Sequence, residues 1–186
     1  MKGARRSGVL EEAGTTYLSY LKVVHTHLME QEKAIRGLIS LMEESGAVHV
    51  YGFGRSGAAA LSFAIRPRHF CEYYPPAWWI GDQVRMPIRR DDLLVLFSKS
   101  GLRPEITAAA GNAVDAGARI AVITANREFN PGGTAACTIH LPLCESPFIY
   151  GGGDFELAAY FFQEILVSMV GVEKGIAKDD VDKYHV

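Results

Sequence analysis

The stretch over residues 47–63 constrains this chain's architecture more than any other. Val48, Val50 and Tyr51 are β-formers in an apolar run. Gly52 and Gly54 break it, and an alanine-rich, helix-favouring segment begins at Ser56. Strand, glycine turn, helix is the arrangement that aims backbone N–H groups at an anion. Glycine permits conformations and close approaches that a Cβ forbids. Ser56 suits the N-cap and still offers a hydroxyl to a ligand. The stretch therefore predicts a phosphate, or a phosphorylated small molecule, beside this turn. The same residues also spell G-x-G-x-x-G at Gly52, Gly54 and Gly57. Glu72 follows at about the interval a dinucleotide fold uses for its ribose contact. On spacing alone both readings stand.

Before this stretch, residues 9–45 read as helical. Leu18, Leu21, Val24 and Leu28, then Ile35, Leu38, Ile39 and Met42, recur at helical spacing. The charged run at Glu30–Lys33 reads as a joint between two helices or as a solvated face. After it, Pro67 is expected to kink or stop the helix that follows the first strand. A strand is expected over residues 70–74, ended by Pro75 and Pro76, with Trp78 and Trp79 in a loop. Leu93 to Phe97 is a continuous apolar run, as in a parallel strand buried on both faces. It empties into Ser98, Lys99, Ser100 and Gly101. A helix follows from Pro104 to about Asp115, stopped by Gly117. Strands are expected over 119–124 and near 137–141, and an amphipathic helix over 154–170. Alternating strands and helices imply right-handed crossovers and a parallel sheet covered on both faces. In such sheets ligands bind beyond the carboxyl ends of the strands. The loops at 52–56, 98–101 and 124–127 should share that rim.

Composition sets outer limits. The 186 residues are 48% hydrophobic and 22% charged, enough for one sizeable core. A net charge of −2 argues against broad attraction to nucleic acid. Lys2, Arg5 and Arg6 lack the apolar segment of a signal peptide. No run reads as long enough to span a bilayer, so a cytoplasmic protein without a membrane partner is expected. Cys71, Cys137 and Cys144 read as buried free thiols. No Cys or His pair has ligand spacing, so no metal site is expected.

The segment from Ser98 to Gly101 is a second anion-binding candidate. Two hydroxyls flank Lys99 at a strand end, and a glycine opens the next helix. Lys99 or Arg103 adds charge. With Gly52-Phe53-Gly54-Arg55-Ser56-Gly57 ahead of it, this order and spacing resembles the sugar isomerase (SIS) domain family. The similarity extends to its 6-phospho-3-hexuloisomerase branch. Gly81-Asp82 and the segment from Pro87 to Leu94 match the approach to that branch's serine loop. Gly153-Asp154-Phe155-Glu156-Leu157 resembles its Gly-x-Phe-Glu helix start. Asp180 to His185 resembles its histidine-bearing end. The serine loop departs from the family's usual Gly-Glu-Thr by running Gly101-Leu102-Arg103-Pro104-Glu105. The threonine hydroxyl is missing, and Arg103 is its candidate replacement.

The resemblance implies an α/β fold: a flavodoxin-like, three-layer αβα sandwich with a five-stranded parallel sheet. Residues 46–186 would form the core and 1–45 extra N-terminal helices, all in one SIS domain. It implies that Ser56, Ser98 and Ser100 contact a sugar phosphate, with Gly54, Arg55, Lys99, Gly101, Arg103, Thr124 and Asn126 as further binding candidates. It implies isomerisation of a phosphorylated ketose without metal, nicotinamide or other cofactor. It also implies a homodimer or homotetramer with sites near subunit interfaces. Moving a carbonyl from C3 to C2 needs one carboxylate serving both carbons through a cis-enediol. Glu156 is the candidate; the plainer alternative is a carboxylate that complements a helix dipole. His185 is the candidate for moving a proton between the two oxygens; its plainer alternative is a tail residue. Arg55 either holds substrate oxygens or forms a structural ion pair. Thr124 and Asn126 either line the pocket or cap a turn. In a 3-ketose esterified at O6, that oxygen cannot close a ring onto C3, so the substrate is largely open-chain. The same site would also suit an isomerase of another phosphosugar, and two functions of other classes fit parts of this pattern. One is a non-catalytic regulatory SIS module that binds a sugar phosphate. The other is a nucleotide-dependent oxidoreductase using Gly52, Gly54, Gly57 and Glu72.

Overall fold

The computed structural model describes residues 8–70 and 72–183. Two helices come first, α1 (Val9–Met29) and α2 (Glu32–Glu43). They break at Glu30 and Gln31, inside the charged run. Then follow β1 (Val48–Gly52), α3 (Arg55–His69), β2 (Ala77–Trp79), β3 (Leu93–Ser98), α4 (Pro104–Ala116), β4 (Arg119–Thr124), β5 (Ala135–His140), α5 (Gly153–Glu173) and α6 (Lys178–Asp182). A short 3-10 turn, Pro131–Gly133, precedes β5.

The five strands form one all-parallel sheet in the order β2-β1-β3-β4-β5. This is the α/β sandwich expected from the sequence. Strand side chains alternate between two cores. Val48, Val50, Leu93, Val95 and Phe97 pack towards α1, α2, α3 and α5. Leu94, Leu96, Ile120 and Val122 pack towards Ile106, Ala109, Ala110 and Ala113 of α4. The layers are unequal: among the described residues the second face carries α4 alone of the long helices. Beside it, Ile80 and Ile88 of the connection between β2 and β3 lie against the same core.

Three local expectations are corrected. The second strand is Ala77–Trp79, not 70–74, so both tryptophans are in the sheet. Phe70 instead caps α3, and Tyr73 and Tyr74 turn back onto its carbonyl. Pairing starts only after the two prolines, which have no N–H to give; the Pro76 carbonyl accepts the Val48 N–H at 2.9 Å. Secondly, α3 runs on through Pro67 to His69. Burial of the Pro67 ring offsets the one lost helical hydrogen bond. Thirdly, α5 is long and apolar enough to cross a membrane by length and composition. Its Phe155, Ala158, Phe162 and Leu166 are instead consumed by the core.

Of the three cysteines expected to be buried, Cys71 lies outside the described residues, and Cys137 and Cys144 are free but only half-buried. Burial pushes the Cys137 thiol up to about 11, so it is a poor nucleophile at neutral pH.

His49 is fully buried on β1, and its Nε2 lies 3.1 Å from Asp92 Oδ2. That oxygen also accepts the Arg89 N–H at 2.8 Å. Burial lowers the His49 pKa, the Asp92 carboxylate opposes this, and Arg85 adds to the lowering. The folded state therefore binds its proton less readily than the unfolded chain, whose histidine titrates near 6.5. Stability should be held above that pH and fall as the pH drops below it. His140, lowered by burial and by Arg127 and His27, adds in the same direction. His49→Gln keeps a donor towards Asp92 but cannot titrate. Melting temperatures at pH 7 and pH 5 should show a smaller drop in this variant than in wild type; equal drops would exclude His49 as a source.

A candidate active site at the switch point of the sheet

From β1 the chain crosses one way to β2, and from β3 the other way to β4, so the connections after β1 and β3 diverge and leave a crevice at the carboxyl rim. Gly52 pairs with Phe97 in register, which brings the Gly52–Ser56 and Ser98–Gly101 turns side by side. Ser98 in turn pairs with Thr124.

The first turn is built on bare backbone. A Cβ on Gly52 would sit 2.5 Å from the Ser56 carbonyl oxygen, and one on Gly57 would sit 2.8 Å from that of Gly52. Strand end and helix start thus touch through backbone alone. Gly54, at φ +61, is the N-cap of α3. Ser56 is not the cap, as expected from sequence, but stands inside the first helical turn. Its hydroxyl is directed elsewhere, donating to Glu156 Oε1 at 3.1 Å. Arg55 Nη2 lies 3.4 Å from Glu156 Oε2, and Arg55 Nη1 donates to the Gly151 carbonyl at 3.1 Å. The Glu156 side chain is 12% exposed, and its Oε2, buried, accepts no hydrogen bond. A carboxylate oriented through one oxygen and without a hydrogen bond at the other can take and return a proton once a substrate reaches it.

The second turn is held by its own serines. Ser98 Oγ accepts the Gly101 N–H at 3.0 Å, and Ser100 Oγ accepts the Leu102 N–H at 3.3 Å. Each hydroxyl keeps its own proton to offer an anion. Gly101 has φ +75, and a Cβ there would strike the Phe129 ring. Thr124 and Asn126 brace this turn. The Thr124 hydroxyl donates to the Lys99 carbonyl at 3.4 Å and accepts the Asn126 N–H at 3.0 Å. The Asn126 side chain donates to the Ser100 carbonyl at 2.8 Å. The Arg103 guanidinium lies 4.6 Å from the Phe53 ring centroid, bridging the two turns.

The sequence reading missed Asp154. It is 3% exposed in the first turn of α5. Its Oδ1 accepts the Phe155 N–H at 2.9 Å and faces Lys99 Nζ at 3.2 Å; its Oδ2 accepts the Cys144 N–H at 3.0 Å. Burial works against its charge, yet the Cys144 N–H, Lys99 and the Phe155 N–H together hold its pKa below the usual carboxylate range. Its signal was present, an acid two residues before Glu156 in the Gly-x-Phe-Glu stretch, but no role was assigned to it. Tyr20 of α1 donates to the Asp154 carbonyl at 3.0 Å and the Pro142 carbonyl at 2.8 Å.

Ser56, Arg55 and Glu156 therefore meet directly, and Ser98, Lys99, Ser100, Gly101, Thr124 and Asn126 form the adjoining turn. His185 lies outside the described residues. Glu72 precedes β2, at the amino end of the strands, and pairs with Lys183 at 3.3 Å. It cannot serve a ribose at the carboxyl rim, so the dinucleotide reading loses its acidic partner. Concavities of about 450 Å³ and 360 Å³ are lined by other residues, none of them Ser56, Ser98 or Glu156.

No family model matches the chain. The 3-hexulose-6-phosphate isomerase of Methanocaldococcus jannaschii is 25% identical over 158 residues, covering 84% of this chain and 84% of that one. The protein of the same name from Mycobacterium gastri is 26% identical over 170 residues, 89% of this chain and 84% of that one. A crystal structure of a Methanococcus jannaschii protein, which infers a molecular function of 3-hexulose-6-phosphate isomerase, superposes with a TM-score of 0.79. It is 23% identical and covers 89% of this chain and 97% of that one. The chain shares that fold and is similar, at about one residue in four, to proteins named as phosphosugar isomerases.

The close approach of Gly52 to α3 makes a paired prediction. Gly52→Ala should lower the unfolding free energy by about 1–3 kcal/mol through overpacking against backbone. Gly111→Ala, in α4 with no atom within 4 Å of the added carbon, should raise it by up to about 1 kcal/mol. Denaturant titration of both variants checks the contrast.

Proposed function

We propose that this protein is a phosphosugar isomerase that interconverts 3-hexulose 6-phosphate and fructose 6-phosphate. The observation that carries this reading is the Glu156 carboxylate, fixed through Oε1 by Ser56, with no hydrogen bond at a buried Oε2 that faces Arg55. The named relatives supply the substrate.

The phosphate sits against the hydroxyls of Ser98 and Ser100 and the glycine-opened turn. The open-chain ketose then extends towards Glu156. Glu156 Oε2 takes the proton from C2. The C–H electron pair forms the C2–C3 double bond, and the C3 carbonyl pair moves onto O3, giving the cis-enediol once O3 is protonated. Return of the carbon-bound proton to C3 and loss of the O2 proton leave the carbonyl at C2. The reaction is redox-neutral overall, so it consumes no nicotinamide, and each proton transfer in this reading is carried by the protein's own side chains. Arg55, 3.4 Å from Glu156, places positive charge where oxygen charge develops. His185 remains the candidate for moving the proton between O3 and O2.

Assembly into a homodimer or homotetramer belongs to the same reading. Leu61 and Ile65 of α3 and Tyr160 of α5 are exposed on helices that pack together, apolar surface that a second copy could cover.

Glu156→Gln removes the base and keeps the shape. It should bind fructose 6-phosphate within about threefold of wild type while kcat falls by about 10²-fold or more. Undiminished turnover would remove Glu156 from the mechanism. Saturable binding by wild type with no isomer formed in either direction would favour a regulatory phosphosugar-binding module.

A further inference from the structure

The Ser98–Gly101 turn and the first turn of α5 lie on different elements, yet both must be in place for the site to exist. Arg55 joins the β1 side to α5 through the Gly151 carbonyl and Glu156. Lys99 is the corresponding link from the serine turn. It stands between Ser98 and Ser100, whose hydroxyls accept backbone N–H groups of their own turn. The base of that turn is tied to the end of β4, where the Lys99 carbonyl accepts the Ala125 N–H at 3.2 Å. Among the described residues its one ion pair reaching across to α5 is from Lys99 Nζ to Asp154 Oδ1, at 3.2 Å.

Asp154 is built as a fixed anchor. Its carboxylate is buried and takes two backbone N–H groups besides the ammonium. Its own carbonyl is held by the Tyr20 hydroxyl. Room for the lysine is made by Gly152, at φ +75, where a Cβ would lie 3.0 Å from Lys99 Nζ. Asp154 and Glu156 are two apart on a helix, so their side chains leave on nearly opposite sides. One carboxylate is free to face substrate while the other holds the cation.

We propose that Asp154 is a positioning residue: through Lys99 it locks the serine turn to the helix start that carries Glu156. Lys99 is thereby kept at the mouth of the crevice with its charge fixed in direction. This rests on the isomerase reading for its effect on turnover, but not for its effect on the serine turn.

The test is a double-mutant cycle with two readouts. Asp154→Asn keeps an acceptor for only one of the two backbone N–H groups and removes the charge that holds Lys99; Lys99→Met removes the cation and leaves both backbone contacts in place. Each single variant should lower kcat/KM on 3-hexulose 6-phosphate about tenfold, and the double variant should be no worse than either. Effects that multiply, or an Asp154→Asn enzyme with wild-type kcat/KM, would overturn the proposal. In the ligand-free protein, hydrogen exchange of the Gly101 and Leu102 amides should speed up about tenfold in Asp154→Asn, with amides of β3 unchanged. Unchanged exchange at Gly101 and Leu102 would overturn the proposal whatever the activity. Should wild type neither isomerise the substrate nor bind fructose 6-phosphate, the isomerase reading fails, and the exchange result alone decides the role of Asp154.

Discussion

The structure depends on backbone touching backbone where β1 meets α3. Gly52 and Gly57 approach so closely that neither position has room for a side-chain carbon. That contact sets how steeply the chain turns from sheet into helix. It thereby sets where Arg55 and Ser56 emerge. With Gly54 as N-cap, the first turn of α3 places the Ser56 hydroxyl across the crevice on Glu156. A wider turn would leave the hydroxyl facing solvent and the carboxylate without its donor.

Around this contact the charges are arranged in opposed pairs. Arg55 and Lys99 approach the start of α5 from two neighbouring strand ends, and Glu156 and Asp154 answer them. A helix start already favours negative charge, so two carboxylates in one turn need cations to bring chain segments to it. The two pairs differ in burial. The Arg55 and Glu156 side chains are 58% and 12% exposed, those of Lys99 and Asp154 38% and 4%. An exposed cation near a partly open carboxylate can shift as a ligand enters. A buried carboxylate with three donors cannot readily do so without leaving a charge unsolvated. One pair thus suits the reacting side and the other the frame.

Much of the fold was legible because parallel strands buried on both faces leave continuous apolar runs. Leu93 to Phe97 and Ile120 to Ile123 are such runs, and they lie in β3 and β4. The glycine and serine turns were legible because conformation and hydroxyl chemistry restrict which residues fit. β2 was not, because it is three residues long and lies at the sheet edge. A run that short carries no period, and its tryptophans read equally well as loop cover. Pro67 misled for a related reason: the helical signal loss is local, whereas the compensating burial is tertiary. Asp154 escaped notice because its partners, Lys99 and the Cys144 N–H, are far off in sequence. Nothing local distinguishes an acid that complements a helix dipole from one that anchors a lysine.

The departure in the serine turn has a structural counterpart. The turn runs Gly101-Leu102-Arg103, without the threonine hydroxyl usual in the family it resembles. Arg103 is the N-cap of α4 in extended conformation, and no side chain caps that helix. The first N–H groups of α4 are therefore not taken up by a capping side chain. The Arg103 guanidinium, meanwhile, rests on the Phe53 ring from the neighbouring turn. A threonine would offer one short hydroxyl at a fixed point. An arginine stacked on a ring offers a planar cation with donors along its edge, suited to two oxygens of one phosphate. On the proposed reading, the exchange trades a local contact for one that depends on both turns being in place, and phosphate recognition would then be tied to the same strand-to-helix geometry that presents Ser56.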